Sequence, residues 1–364
     1  MIFRLVLENV RHRPVRTMLS VLLIAVPVTL ILALIGLSNG FLEDSRKRSA
    51  GVGADILFKA PGGSLMTFST GALPQKIVDV LMTEPHVVQA TGTLVQPIGG
   101  FDSINGIDIE AFGKMSGGFV YAEGHGFQTP DDVLVDTWYA QQRKVHAGGK
   151  INLLNRDWNV AGIVEPGKLA HLFAPLSSMQ DILGSTGKVS QVFLKLDDPK
   201  NADKVAAALK VKYADYGIWS ISEMQALISV DSIPLLKNFI NVILGIGVII
   251  GFAVVSLSMY MAVLQRTREI GILKSMGATK SFIMSMIMAE AFCLGFGGTV
   301  AGILFSYASR TAMHAIAPAS LPQAIVYAWW PIAGAVAMGA ALLGAVYPGM
   351  MAVRQDPIEA LAHE

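Results

Sequence analysis

Charge-free runs and mixed runs divide this chain. Residues 17–42 contain no Asp, Glu, Lys or Arg, and neither do residues 238–265. A third apolar run starts after Lys280, is interrupted by Glu290, and continues uncharged over 291–309. A fourth lies within 311–353 and is placed at 331–353, with Trp329 and Trp330 at its start as interfacial anchors. A hydrocarbon core about 30 Å thick needs roughly 20 apolar helical residues. The pattern therefore predicts four transmembrane helices, at 17–42, 238–265, 281–309 and 331–353. One stands alone, and three follow close together after a gap of nearly two hundred residues.

In that gap, residues 43–235, apolar and polar positions interleave. The runs ADILFKA, QVFLKL and WNVAGIV read as strands. PQKIVDVLM, DDVLVDTWYAQQR and PKNADKVAAALKVKYA read as helices, and Gly-Gly and Pro-Gly pairs punctuate them. The predicted fold class is thus a membrane α-helical protein with a large α+β domain inserted between helices 1 and 2. Ile228 to Lys237, with Pro234, reads as the stalk into the second span. No internal repeat is evident.

Composition agrees. The chain of 364 residues is 52% hydrophobic but only 15% charged, against about 25% charged in a soluble domain. A net charge of +1 without a basic stripe gives no sign of nucleic acid as a partner. The single cysteine, Cys293, excludes an internal disulfide. The first apolar run is too long for a signal-peptide core and reads as a retained anchor. Arg4, Arg11, Arg13 and Arg16 precede span 1, and Arg266, Arg268, Lys274 and Lys280 fill the 266–280 loop. The positive-inside bias puts both segments, and with four spans both termini, including the 354–364 tail, in the cytoplasm. Arg46, Lys47 and Arg48 vote the other way. They are discounted because Glu43 and Asp44 adjoin them and long domains translocate regardless of flanking charge. The inserted domain is then extracytoplasmic.

The segment QRTREIGILKSMGATKSF, 265–282, concentrates charge between two spans. Ile270, Leu273, Met276 and Gly277 recur at helical spacing on one face, while Arg268, Glu269 and Lys274 fall off it. Gly271 and Gly277 suit a close backbone approach or a helix end. Such a helix either lies at the membrane surface or docks its apolar stripe into a partner's groove.

This segment, followed by AEAFCLGFGG, closely resembles the coupling region of permease subunits of the macrolide-exporter/cell-division (MacB/FtsX) type of ABC transporter. Arg266, Glu269, Ile270, Gly271, Leu273, Lys274, Gly277, Ala278, Ile283, Glu290 and Gly295 stand at matching positions. The start, NVRHRPVRTMLSVLLIAV, resembles the family's amphipathic N-terminal helix, placed here at 1–16 in the cytoplasm, leading into span 1. The end, YPGMMAVRQDPIEAL, resembles its tail through Pro348, Ala352, Pro357, Ala360 and Leu361. DDVLVDTWYAQQRKVHAGGKINLLNRDWNVAGIV resembles its extracytoplasmic domain.

The resemblance implies a bacterial inner-membrane permease that dimerises and works with two copies of a cytoplasmic ATP-binding subunit. Arg266, Arg268, Glu269, Ile270, Gly271, Leu273, Lys274, Gly277 and Ala278 would form the ATPase-coupling surface. ATPase motion would pass to the outer domain to export a drug, lipid, haem-like molecule or lipoprotein. A periplasmic adaptor and outer-membrane duct are further partners under the same resemblance. The alternative is a mechanotransmitter that regulates a cell-wall hydrolase without transport; a third reading, a membrane-anchored sensor or enzyme, lacks any catalytic clustering. No G-x-x-x-x-G-K-[ST] occurs, and GSTGKVS at 184–190 has the wrong spacing. The chain is therefore expected to bind no cofactor, with ATP used by its partner.

Other residues take plainer expectations. Glu290 is read at the cytoplasmic boundary in a structural or coupling role, since 291–309 alone gives about 28 Å of helix. Gly298 with Gly302, and Gly247 with Gly251, form small-x-x-x-small faces that suit packing within one protomer or between two. Pro27 suggests a kink. His86, His125, His146 and His171 lack metal-ligand spacing and are expected on the solvated surface. Segment 60–74, APGGSLMTFSTGALP, reads as a loop.

Overall fold

The computed structural model describes residues 14–61, 72–99, 102–227 and 234–355. Residues 1–13 of the expected N-terminal segment 1–16, the stalk before Pro234, most of 60–74 and the tail beyond Gln355 lie outside the described residues, while residues 14–16 begin the first long helix. The chain forms two units. One is helical: residues up to Asn39, Pro234–Ala312 and Gln323 onward. The other is the inserted domain, Gly40–Ile233 together with Met313–Pro322.

Helix α1, Pro14–Ala50, outruns the expected span 17–42 at both ends and passes through Pro27. Its charged end stays helical because opposite charges fall four residues apart: Glu43 pairs with Lys47 and Asp44 with Arg48, each at 2.9 Å. Gly53, at φ +73°, then turns the chain away.

The inserted domain follows as β1 (Ile56–Lys59), β2 (Leu73–Pro74), α2 (Ile77–Met82), β3 (Val87–Gly99), β4 (Asp102–Ile107) and α3 (Ile109–Ser116). Next come β5 (Tyr121–Gly124), β6 (Asp132–Asp136), α4 (Thr137–Arg143), β7 (Lys150–Leu153), β8 (Arg156–Val164), β9 (Leu172–Pro175) and α5 (Leu176–Ile182). It ends with β10 (Lys188–Val189), β11 (Gln191–Leu196), α6 (Ala202–Lys212), β12 (Gly217–Ser220) and α7 (Ile221–Leu227).

Its main sheet runs β12-β1-β11-β3-β4-β9-β6-β8-β5, with β7 on β8. The β4–β9 and β6–β8 pairs are parallel and the others antiparallel. Strand alternation fills both faces. On β1, Ile56 and Phe58 enter one core and Leu57 the other; on β11, Val192 and Leu194 oppose Phe193 in the same way. The first core adds Trp158, Tyr139, Val205 and Leu209, and the second Phe112, Phe173 and Met115. Each large side chain so buried contributes about 1.5–3 kcal/mol.

The run DDVLVDTWYAQQR, expected as a helix, divides into β6 and α4. Every β6 side chain is buried, which suits β-branched residues in a sheet interior. Asp136 then caps α4, its Oδ1 accepting the Tyr139 N–H at 2.8 Å. Residues 313–322 are built into this domain. Ala319 sits in the first core. Gln142 Oε1 accepts the Ala319 and Ser320 N–H groups at 3.2 Å, and Gln142 Nε2 donates to Ser320 Oγ at 2.7 Å.

The helical unit gathers α1 with α8 (Pro234–Gln265), α9 (Thr267–Ser275), α10 (Lys280–Ile316) and α11 (Trp329–Arg354). Four of these helices, α1, α8, α10 and α11, are long and apolar enough to cross a membrane. Helix α10 runs beyond 281–309 and α11 begins at Trp329, where Trp330 packs edge-on against Tyr307 and Tyr327.

Small residues set the spacing between these helices. A Cβ on Gly298 would lie 2.5 Å from Ile24 Cγ2, and one on Gly302 would lie 2.6 Å from Val28 Cβ, so α10 meets α1 backbone to side chain. Gly344 of α11 abuts the Phe252 carbonyl of α8, at 2.6 Å from where its Cβ would be. Gly247 faces Ile31 and Pro27, and Gly251 faces Ala340. All four glycines singled out in the sequence thus have neighbours within the protomer. Ser20 and Ser258 join α1 to α8 by a 2.7 Å hydrogen bond.

Candidate functional site

The connection 266–280 is a built structure rather than a loose loop. Helix α9 places Glu269 in its first turn and Lys274 in its last, matching the helix dipole at both ends. It stops at Ser275. The Gly277 N–H donates to the Lys274 carbonyl at 3.0 Å, and the Ala278 N–H reaches back to the Leu273 carbonyl at 2.9 Å. This pair of bonds is a Schellman ending, which requires the left-handed conformation that Gly277 adopts, φ +93°. Thr279 then caps α10 by accepting the Phe282 N–H on both its Oγ1 and its carbonyl.

The expected stripe of Ile270, Leu273, Met276 and Gly277 is therefore corrected. Ile270 and Gly271 are buried, Leu273 is half-buried, and Met276 and Gly277 lie past the helix end. Met276 is 73% exposed. The helical period fails there because the glycine reverses the chain.

The charged residues divide into two sets. Arg266, just before α9, extends its Nη1 to Glu290 Oε2 of α10 at 3.1 Å, with both side chains about nine-tenths buried. Glu290 is thus half of an internal ion pair. Lys274 Nζ donates to the carbonyls of Val353 at 2.7 Å and Gln355 at 2.5 Å, where α11 ends. Gln355 Nε2 also donates to Thr267 Oγ1 at 3.4 Å. Arg268 and Glu269, by contrast, are exposed together with Ile272, Ser275 and Met276. Ala278 is half-buried in the turn. The roles of Thr267, Thr279 and Gln355 escaped the sequence reading; of these only Thr279, three residues before Phe282, carried a local signal, that of a cap.

Within the inserted domain, His171 is not on the surface as expected. It is buried, and its Nδ1 lies 2.5 Å from Asp136 Oδ2 with the Trp138 ring beside it. His86, His125 and His146 are not among the buried residues. Glu84 is buried beneath Lys212, whose Nζ donates to Oε1 at 2.6 Å, and Tyr213 Oη donates to the same oxygen at 2.7 Å. The Lys212 bond, with that of Tyr213, holds the Glu84 carboxyl below its ordinary range despite burial. Burial pushes the Asp132 carboxyl up, but N–H groups of Gln128 and Thr129 and the Thr129 hydroxyl outweigh it and hold the group low.

Residues 241–357 match the FtsX-like permease C-terminal family, and residues 17–212 match the MacB-like periplasmic core domain. The chain belongs to the MacB/FtsX family of ABC transporter permeases. The Bacillus subtilis (strain 168) ABC transporter permease YknZ is 32% identical over 206 residues, covering 54% of this chain and 50% of YknZ. The macrolide export ATP-binding/permease protein MacB of Acinetobacter baylyi is 21% identical over 403 residues, covering all of this chain and 59% of that one. The chain thus spans about half the length of these relatives. The crystal structure of the periplasmic region of MacB from Actinobacillus actinomycetemcomitans covers 49% of this chain and 94% of its own, at 15% identity and a TM-score of 0.37. In this MacB/FtsX permease, α9 and both of its internal attachments fall inside the FtsX-like segment.

Proposed function

We propose that α9 faces the cytoplasm and docks on an ABC ATP-binding subunit, two copies serving a homodimer of this permease in the bacterial inner membrane. Both termini are then cytoplasmic and the inserted domain extracytoplasmic. ATP hydrolysis in the partner moves α9, the motion passes along the membrane helices, and the inserted domain expels a hydrophobic or amphipathic substrate. The observation that carries this reading is the two-sided character of α9. Its inner side is fixed to α10 and α11. Its outer side offers Arg268, Glu269, Ile272 and Met276 together. Charges among exposed apolar residues suit a protein groove better than hydrocarbon. The polar Arg268–Glu269 pair would give register and Met276 a flexible apolar contact.

The test is recovery of an ABC ATP-binding protein with the tagged full chain from membranes of its own cell. Wild type is expected to retain it, and Glu269→Lys and Met276→Glu to lose it while remaining membrane-inserted. Equal recovery from all three overturns the docking surface.

A further inference from the structure

We infer that Arg266, Lys274 and Glu290 are positioning residues, which fasten α9 to α10 and α11 so that the connection moves with them as one body; this rests on the docking reading above. The sequence places these residues with Arg268 and Glu269 in one charged motif, but the geometry separates them. Arg266 and Glu290 have about a tenth of their side-chain surface left, so neither can offer a charge to another protein. Two charges withdrawn from water are tolerated only when each holds the other, and removing one leaves the second stranded.

Lys274 does something different. The last carbonyls of a helix have no partner of their own, and a cation there answers both the missing donors and the dipole. Lys274 Nζ supplies two such bonds to the end of α11, at Val353 and Gln355. Along the chain, α9 is joined directly to α8 and α10; it reaches α11 only through the whole of α10 and the segment after it. Lys274 short-circuits that route. A displacement imposed on the outer side of α9 would enter α10 through Glu290 and α11 through the lysine at the same moment.

The experiment uses the full chain in nanodiscs with its ATP-binding partner. Capture and turnover are read on the unlabelled chain; for mobility alone, without the partner, a spin label is placed by Met276→Cys after the sole native thiol is removed by Cys293→Ala. Lys274→Met keeps the stem and removes the donors. It is expected to raise label mobility and leave partner capture unchanged, while partner ATP turnover coupled to the permease falls about tenfold, the scale of an ordinary coupling energy. Lys274→Arg is expected to restore both. Arg266→Glu and Glu290→Arg singly should lose coupling, and the double exchange should recover it. Loss of capture by Lys274→Met at unchanged label mobility, or full coupling in Lys274→Met, overturns the inference. If wild type itself captures no ATP-binding protein, the docking reading fails alone; the label and the charge exchange, read by mobility, still decide the brace.

Discussion

Gly302 and Gly298 allow a numerical test of how the helical unit is assembled. A methyl on Gly302 would sit 2.6 Å from Val28 Cβ, about 0.8 Å inside the 3.4 Å at which ordinary contact begins, and 3.0 Å from the Ala25 carbonyl oxygen, about 0.4 Å inside it. Neither neighbour is the free end of a long side chain, and Val28 is 2% exposed, so α1 itself must move. Overpacking of this kind costs about 1–3 kcal/mol. Against it stands the gain from replacing a helical glycine by alanine, about 0.8–1.0 kcal/mol.

Gly339 of α11 isolates the second effect, since a Cβ there meets nothing within 4 Å. Gly302→Ala should therefore be destabilised relative to Gly339→Ala by about 1–3 kcal/mol, the helix gain cancelling between them. SDS-driven unfolding of the purified chain in micelles reads this difference. Gly298→Ala should behave like Gly302→Ala, because its methyl would meet Ile24 Cβ at 2.6 Å. Equal unfolding free energies for Gly302→Ala and Gly339→Ala would refute the α1–α10 packing and the reasoning drawn from it.

Two further expectations concern the inserted domain. Asp136→Ala removes both the partner of buried His171 and the cap on Tyr139 and should cost about 3 kcal/mol; near-ultraviolet circular dichroism of the full chain on heating reports it, and a loss under about 1 kcal/mol counts against the pairing. Glu84 is held low by Lys212, so its stabilising share is present above the ordinary glutamate value, about 4.3, and is lost as pH falls through its lowered one. Glu84→Gln should therefore melt below wild type at pH 7, and the two curves should converge as the medium is acidified below about pH 4; a constant gap across that range would contradict the assignment.

How far the sequence could be read depends on the range of the interaction. The four spans were legible because hydrocarbon tolerates few charges, so uncharged runs mark them directly. Their ends were not, because α1 carries its charges as Glu43–Lys47 and Asp44–Arg48 pairs and stays helical through them. The strands β1, β8 and β11 followed from β-branched and aromatic runs, whereas β6 was hidden by the helical pattern of α4 next to it. At the site, the motif was visible but its division was not. Arg266 and Glu290 stand 24 positions apart and Lys274 reaches a backbone carbonyl 79 positions away, contacts that no local spacing encodes. His171 likewise shows no sign of burial in its own neighbourhood; its pairing with Asp136 exists only once β6 and β9 lie side by side.

The small stretch Met313–Pro322 changes what counts as the outer lobe. A fragment cut from the chain at 43 and 235 looks complete by sequence order, yet it would lack Ala319 from its interior and would strip Gln142 of every bond to Ala319 and Ser320. The exposed apolar surface and the lost hydrogen bonds together would weaken that corner by about 1–3 kcal/mol. Ligand trials on such an excised piece would sample a wounded surface, and grafting the ten missing residues back through a short tether is the remedy.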